Sequence, residues 1–412
     1  MKCIVHDDVV LSRPLEGPLS AHIAAFAQWA HDQGYARASR YRQVLLVACF
    51  SRWLGQQTIT VARVAAEHAV RFLRSRARHV QIHRGDSAAL RQFLDFLRHE
   101  GVIRSKTVAP RRRSPVEQET QTFATYLRTE RGLAESTISY YVTFVREFLT
   151  DRFGRGRVTL ARLRARDVVR FVGRQATRLH VKRAKQLTTA LRAFLHYARY
   201  RGDVRQDLAA AVPAVANWSM ASIPRAIPAD SVHRLLGSIN RQTARGRRDY
   251  AILLLLAGLG LRASEVAFLE LDDLDWEGGQ VTVRGKRGAR AALPLPADVG
   301  RAIAAYLREG RPRSTCRRVF LRVRAPRCGF AGPSAIDGVV RDALDRVGVD
   351  APTKGAHQFR HGLATQMLRG GASLSEIGEI LRHRSPETTT IYAKVDLDAL
   401  RTLALPWPGG AR

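Results

Sequence analysis

Of the 68 basic residues in this chain seven are lysine, which leaves 61 arginines. That bias makes each lysine informative, because a guanidinium stays protonated in a protein whereas an ammonium can release its proton and do acid–base work. Lys286 is the only lysine between Lys185 and Lys354. It sits in QVTVRGKRGARAALPLP (280–296), where alternating apolar residues on either side of a Gly/Arg turn predict two strands of a hairpin. Other groups able to act on an anion stand in distinct settings. Arg262 follows an apolar helix in the frame GLGLRASE, His357 and Arg360 are i,i+3 neighbours, and Tyr392 comes nine residues after His383 with three threonines before it. Each has an ordinary alternative when taken alone: Arg262 as a surface charge, His357–Arg360 as a solvated helix face, Tyr392 as a core ring, and Ser373–Tyr392 as a helix-turn-helix without catalysis. There is no P-loop GxxxxGK[ST] and no acidic cluster with ligand spacing, so neither a cofactor nor a metal is indicated. Cys3, Cys49, Cys316 and Cys328 form no CxxC pair and lie far apart, which argues against a zinc cluster or a disulfide framework and for a reducing cytoplasm.

The partner of these groups is set by charge. A formal net charge of +32 and a pI near 11.3 require a polyanion. The basic residues run through all the helical segments and are not gathered beside one amphipathic anchor, which favours a long nucleic acid over an anionic membrane. The longest apolar run, Ala251–Leu259, falls well short of the roughly 18 residues a bilayer crossing needs, and the N-terminal MKCIVHDDVV lacks the apolar core of a signal peptide. The expectation is an unexported protein acting in the cytoplasm. At 412 residues, with 45% hydrophobic and 25% charged, the chain has the make-up of two or three globular domains.

Two of those domains resemble one another. FAQWAHDQGYARAS (26–39) matches FATYLRTERGLAEST (123–137), TVARVAAEHAVRFL (60–73) matches TLARLRARDVVRFV (159–172), and ALRQFLDFLRHEG (89–101) matches ALRAFLHYARYRG (190–202). Three blocks in one order at a period near 100 residues point to duplication, and apolar residues at helical spacing, such as Val142, Val145, Phe148 and Leu149, make each copy a bundle of four or five short helices. Linkers are expected at Arg104–Pro115, where Arg111, Arg112 and Arg113 are free either to be a solvated spacer or to track phosphates, and at Ala211–Asp230. Beyond Ile227 the pattern becomes mixed α/β. A helix starts near Asp230, an apolar helix (Tyr250–Ala257) ends at Gly258-Leu-Gly260, a short helix lies around Glu265–Leu269, SLSE (373–376) is a capping box, and Ser385-Pro386 supplies the start of a last helix before Tyr392.

From about Ile227 to its end the chain resembles the tyrosine recombinase (phage integrase) family. The resemblance is carried by GLGLRASEVAFLELDDLDW (258–276), VRGKRGARAALPLP (283–296), HQFRHGLATQMLRGG (357–371) and LRHRSPETTTIYAKV (381–395), in the family's order and spacing. The second helical copy is similar to that family's core-binding domain. The resemblance implies a catalytic set of Arg262, Lys286, His357, Arg360, His383 and Tyr392, with Tyr392 as nucleophile and Glu265 as the acidic residue that orients the site. Such a set suits opening a phosphodiester without water or metal. A phenol attacking phosphorus stores the bond energy in an ester, and two guanidiniums can stabilise the charge developing on phosphorus. His383 can bond the phosphate, His357 suits a base near the phenol, and Lys286 can protonate the leaving 5′ oxygen. The chain departs from the family at Arg287 and Arg382, where glycine is usual, and in having an extra N-terminal helical copy.

The expected architecture is therefore mainly α: two helical-bundle DNA-binding domains, 1–105 and 114–203, followed by a mixed α/β, mostly helical catalytic domain, 225–412. The expected function is that of an integrase or transposon-borne recombinase that cuts and rejoins double-stranded DNA through a 3′-phosphotyrosyl intermediate. The resemblance also implies a homotetramer on two DNA sites, strand exchange through a Holliday junction, and a C-terminal segment near Leu397–Arg412 that docks into a neighbouring protomer. Other recombinases of the same element are candidate partners and the nucleoid is the expected location. Two other readings stand beside this one: an inactive DNA-binding architectural protein, and a type IB topoisomerase-like or telomere-resolving enzyme.

Overall fold

The computed structural model describes residues 3–6, 9–104, 113–215, 226–285, 288–349, 351, 353–383 and 385–395. Most of the two expected linkers, together with Lys286, Arg287 and the segment 396–412, lie outside the described residues. The chain is mainly helical and divides into two units: Met1–Thr107 with Ile223–Arg412, and Val108–Ser222.

The N-terminal part begins with a hairpin that the sequence had not suggested, β1 (Cys3–His6) antiparallel to β2 (Val9–Leu11). Four helices follow: α1 (Ile23–Asp32), α2 (Arg37–Gln56), α3 (Ala66–Arg76) and α4 (Asp86–His99), with a 3₁₀ turn at Val61–Arg63. Phe26 of α1, Val47 and Phe50 of α2 and Phe93 of α4 are wholly buried. Burying rings of this size contributes about 2–3 kcal/mol each, enough to hold short helices that would not persist alone.

The second unit carries α5 (Pro115–Thr129), α6 (Glu135–Phe153), a 3₁₀ turn at Leu160–Arg162, α7 (Ala165–Ala176) and α8 (Val181–Tyr200). Ser114 opens α5 with a reciprocal cap: the Glu117 N–H donates to its hydroxyl at 3.2 Å, and its own N–H donates to the Glu117 carboxylate at 2.8 Å. The order of two helices, a 3₁₀ turn and two more helices is the same as in the N-terminal part, and two aromatic contacts correspond. Phe26 meets Phe93 edge-on at 4.9 Å, and Phe123 meets Phe194 edge-on at 5.3 Å. Phe50 and Phe72 lie 5.3 Å apart, as do Phe148 and Phe171. Even the start of the third helix is closed alike, the Ala65 N–H donating to His68 Nδ1 and the Arg164 N–H to Asp167, both at 3.0 Å.

The C-terminal part of the first unit runs α9 (Ala229–Gly237), α10 (Ala244–Leu259), α11 (Ala263–Ala267), then strands β3 (Leu274–Asp275), β4 (Gln280–Arg284) and β5 (Arg290–Pro294). The three strands form an antiparallel sheet in chain order, with Gln280 opposite Pro294 and Arg284 opposite Arg290, and beyond Arg284 the Gly285 N–H donates to the Ala289 carbonyl at 2.7 Å. The helices α12 (Ala297–Glu309), α13 (Ser334–Arg346), α14 (His357–Arg369) and α15 (Leu374–Ile380) follow, then 3₁₀ turns at Pro386–Thr388 and Thr390–Val395. Helix α10 is buried on all sides between Ala251 and Leu256 and forms the centre of this core. It is longer than the sequence suggested. Thr243 caps it by accepting from the Gly246 N–H at 2.9 Å, and Gly258 is absorbed as a helical residue; only Gly260, with φ +56°, ends it. The helix expected after Ser385 is a pair of 3₁₀ turns instead, with Pro386 at its first position. The N-terminal and C-terminal parts of this unit meet where the Arg327 N–H donates to the Gln33 carbonyl at 3.1 Å. Among the described residues no helix is long and apolar enough to cross a membrane.

Candidate active site

Arg262 takes its place from the end of α10. Gly260 turns the chain in the left-handed region, where a Cβ would also come within 2.9 Å of Leu381 and 3.0 Å of Leu363, so glycine alone fits. Two residues on, Arg262 caps α11, and its side chain is held at both ends: NH1 donates to Glu265 Oε1 at 2.7 Å and NH2 to the Arg382 carbonyl at 3.1 Å. Glu265 is all but inaccessible, with 1% of its side chain exposed, and its other oxygen accepts from the Arg262 N–H and from Arg382 NH2, each at 2.9 Å. A carboxylate so saturated fixes two guanidiniums in place.

Arg360 lies on the first turn of α14 and is 1% exposed. Its NH1 donates to the Gly260 carbonyl at 2.7 Å and its NH2 to the Leu381 carbonyl. Two backbone oxygens thus orient it without neutralising it. Burial, then Arg262 and Arg382, lower it to about 10, and the guanidinium remains a cation at neutral pH.

Tyr392 packs in a small core with Ala364, Ile377 and Leu381, and only 1% of it is exposed. Burial raises its phenol, with Arg360 opposing. The phenol oxygen lies 3.0 Å from Nδ1 of His361, a residue that sequence reasoning had not selected. His361 stands one helical turn beyond His357 on α14, and the two rings meet edge-on at 4.5 Å. The spacing HQFRH was the available signal: positions 357 and 361 share a helix face. His383 stacks nearly parallel to Tyr392 at 6.3 Å, and its Nδ1 bonds the Thr389 hydroxyl at 2.7 Å. Burial is the largest cause lowering both His361 and His383 to about 4, so both rings are neutral at physiological pH.

These side chains line one open cleft of about 500 Å³, where Arg262, His357, Arg360, His361, His383 and Tyr392 meet Gly285 and Ala289 of the β4–β5 hairpin. Lys286 and Arg287 lie between those two glycine and alanine positions in the sequence but outside the described residues. Arg382 also reaches the cleft. Its backbone sits at φ +56°, a conformation that glycine adopts without cost, and its side chain turns inward to Glu265.

Comparison with known proteins identifies the family. Residues 225–398 match the phage integrase family, and residues 120–202 match the phage integrase N-terminal SAM-like domain. Along its whole length the chain is 57% identical to the integrase/recombinase named y4rA of Sinorhizobium fredii, over all 412 residues of both proteins. It belongs to the phage integrase family of tyrosine recombinases. Tyrosine recombinases are enzymes that break and rejoin DNA strands, and this one is also 32% identical over 308 residues to tyrosine recombinase XerD of Mycobacterium tuberculosis, covering 70% of the present chain and 96% of XerD. The recombinase shares its fold with XerH site-specific recombinase bound to a palindromic difH substrate, at a TM-score of 0.57 and 18% identity over 77% of this chain and 94% of that one. A lambda integrase dimer bound to a core site has a TM-score of 0.52 at 15% identity, over 67% and 94% of the two chains.

Proposed function

We propose that this recombinase acts on double-stranded DNA at specific sites, as the integrase of a mobile element, and that it cuts through a 3′-phosphotyrosyl ester on Tyr392. The observation that carries the reading is the convergence on one cleft of a buried phenol, two oriented guanidiniums and three histidines. Arg262 and Arg360 grip the non-bridging oxygens, whose charge grows as the phenol oxygen bonds to phosphorus. His383 adds a hydrogen bond to the same phosphate, and His357 lies beside the phenol's own histidine. The bond to the 5′ oxygen then breaks, and Lys286 protonates the departing alkoxide. Because the ester conserves the phosphodiester bond energy, rejoining requires only the reverse attack by a 5′ hydroxyl.

The +32 charge suits a long duplex contacted by several surfaces. The helical domain within 114–203 is the core-binding domain, and 1–105 is a duplicate of it, a view supported by the matching element order and the paired aromatic contacts Phe26–Phe93 and Phe123–Phe194. The duplicate adds DNA affinity or protomer contacts without chemistry, the catalytic domain spans 225–412, and a homotetramer holds two DNA sites in the cytoplasm, at the nucleoid, alone or beside other recombinases of its element.

The test uses a nicked suicide duplex carrying a site selected from randomised DNA by the full-length protein. Wild-type protein should become covalently attached to the 3′ phosphate and leave a free 5′ hydroxyl, whereas Tyr392→Phe should bind equally well and form no adduct. Covalent attachment by Tyr392→Phe would refute the assignment of the nucleophile.

A further inference from the structure

The hydrogen-bond partner of the Tyr392 phenol is His361, at 3.0 Å, and the mechanism above gives that histidine no role. We propose that His361 is the catalytic base that receives the phenol proton during cleavage and returns it during rejoining. The assignment rests on Tyr392 being the nucleophile. It follows from contact with the reacting atom, since proton transfer requires a base within hydrogen-bond reach of the proton it removes.

The surroundings fit the task. Facing His361 are His357 and Arg360 from its own helix, the phenol from the 3₁₀ turn at Thr390–Val395, and His383 from the loop after α15. No carboxylate is among these neighbours, so a ring with its proton on Nε2 is left as a neutral acceptor, and Nδ1 takes the phenol's hydrogen bond. Burial, then His357 and Arg360, hold the ring down to about 4, which makes it a weak base. A scissile phosphate gripped by Arg360 brings a negative charge that offsets this depression. His361 therefore becomes more basic when a phosphodiester is seated, which couples proton removal to substrate binding. As the phenol oxygen bonds to phosphorus its proton passes to Nδ1, and the electron pair of the breaking P–O bond leaves with the 5′ oxygen, protonated by Lys286. In rejoining, the 5′ hydroxyl attacks and His361 returns its proton to the departing phenolate.

Cleavage of the same nicked duplex by full-length His361→Asn, His361→Gln, His357→Asn and Tyr392→Phe distinguishes the possibilities, with binding and melting measured alongside. Both His361 variants are included so that one folded protein suffices. They should bind as wild type and form the adduct on the order of 100-fold more slowly near neutral pH, the usual worth of a general base. Their rate should climb about tenfold per pH unit, because hydroxide must now remove the proton, while the wild-type rate stays flat from about pH 6 to about pH 8. His357→Asn should slow cleavage without introducing that slope. A folded His361 variant with wild-type rate and pH profile, or a slope that appears in His357→Asn and not in the His361 variants, overturns the assignment. An adduct formed by Tyr392→Phe would overturn the choice of nucleophile instead, a failure read on a different variant.

Discussion

Arg382 NH2 lies 2.9 Å from Glu265 Oε2, the same oxygen that accepts the backbone N–H of Arg262. One buried carboxylate thus ties the loop after α15 to the start of α11, across 117 residues of sequence. Removing it leaves two guanidiniums facing each other at part-buried positions with no counter-charge. Glu265→Ala should therefore destabilise the catalytic part by about 3 kcal/mol, the typical cost of breaking one side of a buried ion pair. Urea denaturation checks this, and an unchanged midpoint would show that the two arginines find other partners.

The backbone at Arg382 is strained in a way that substitution can isolate. A residue with a Cβ at φ +56° carries a penalty of about 1 kcal/mol that glycine avoids. Arg382→Ala and Arg382→Gly both lose the bond to Glu265, so only the backbone differs between them. The glycine variant should be the more stable by about 1 kcal/mol, and the reverse order would mean that the turn relaxes out of the left-handed region when the side chain is cut.

Acid should weaken the same region. His361 and His383 are both lowered to about 4, against about 6.5 unfolded, so between those pH values the unfolded chain binds protons that the folded chain refuses. Their contribution to stability is complete above about pH 6.5 and is lost as pH falls toward 4, at up to about 1.4 kcal/mol per pH unit for each ring. Denaturation series at several pH values should show this slope, and His361→Gln should remove roughly half of it. A slope unchanged in that variant would place the linkage elsewhere.

The chemistry of the site was more legible than its wiring. GLGLRASE, HQFRH and the His383–Tyr392 spacing are local patterns, and from them the cleft gathers Arg262, Glu265, His357, Arg360, His361, His383 and Tyr392. Which histidine meets the phenol is a matter of packing between α14 and the 3₁₀ turn at Thr390–Val395, and nothing in the spacing ranks His357 above His361 for that contact. The inward turn of Arg382 was likewise invisible, because it depends on Glu265 being within reach 117 residues away. Helix α10 overran its expected end because Gly258 costs a helix interior only about 1 kcal/mol, which a core of buried leucines readily offsets. The attachment of the N-terminal bundle through Gln33 and Arg327 has no sequence signature, being made by backbone atoms.

Cleavage should be indifferent to chelators and sensitive to salt. In the proposed mechanism Arg262 and Arg360 supply the positive charge that metal ions provide in nucleases, so EDTA should leave adduct formation on the suicide duplex unchanged. Loss of activity restored by magnesium would contradict that division of labour. Binding should weaken steeply as salt rises, since each phosphate neutralised releases condensed counterions. A flat dependence of log Kd on log salt would contradict the reading of the +32 charge.

Lys286 is assigned the opposite end of the reaction, and sulfur substitution separates it from every other residue of the set. An alkoxide leaves poorly and needs a proton as its bond to phosphorus breaks; an ammonium can supply one, and a guanidinium holds its protons too tightly. Lys286→Ala should slow cleavage of an ordinary duplex on the order of 100-fold. When the bridging 5′ oxygen is replaced by sulfur, the leaving thiolate needs no proton, and the lysine variant should recover its rate. Arg262→Ala should not recover, because its guanidinium serves the non-bridging oxygens, and His361→Asn should not recover either, because its task lies on the nucleophile's side. Rescue of His361→Asn with no rescue of Lys286→Ala would exchange the two roles and make the histidine the acid. The neighbouring Arg287, at a position where glycine is usual in the resemblance to the family, would then be the first residue to replace.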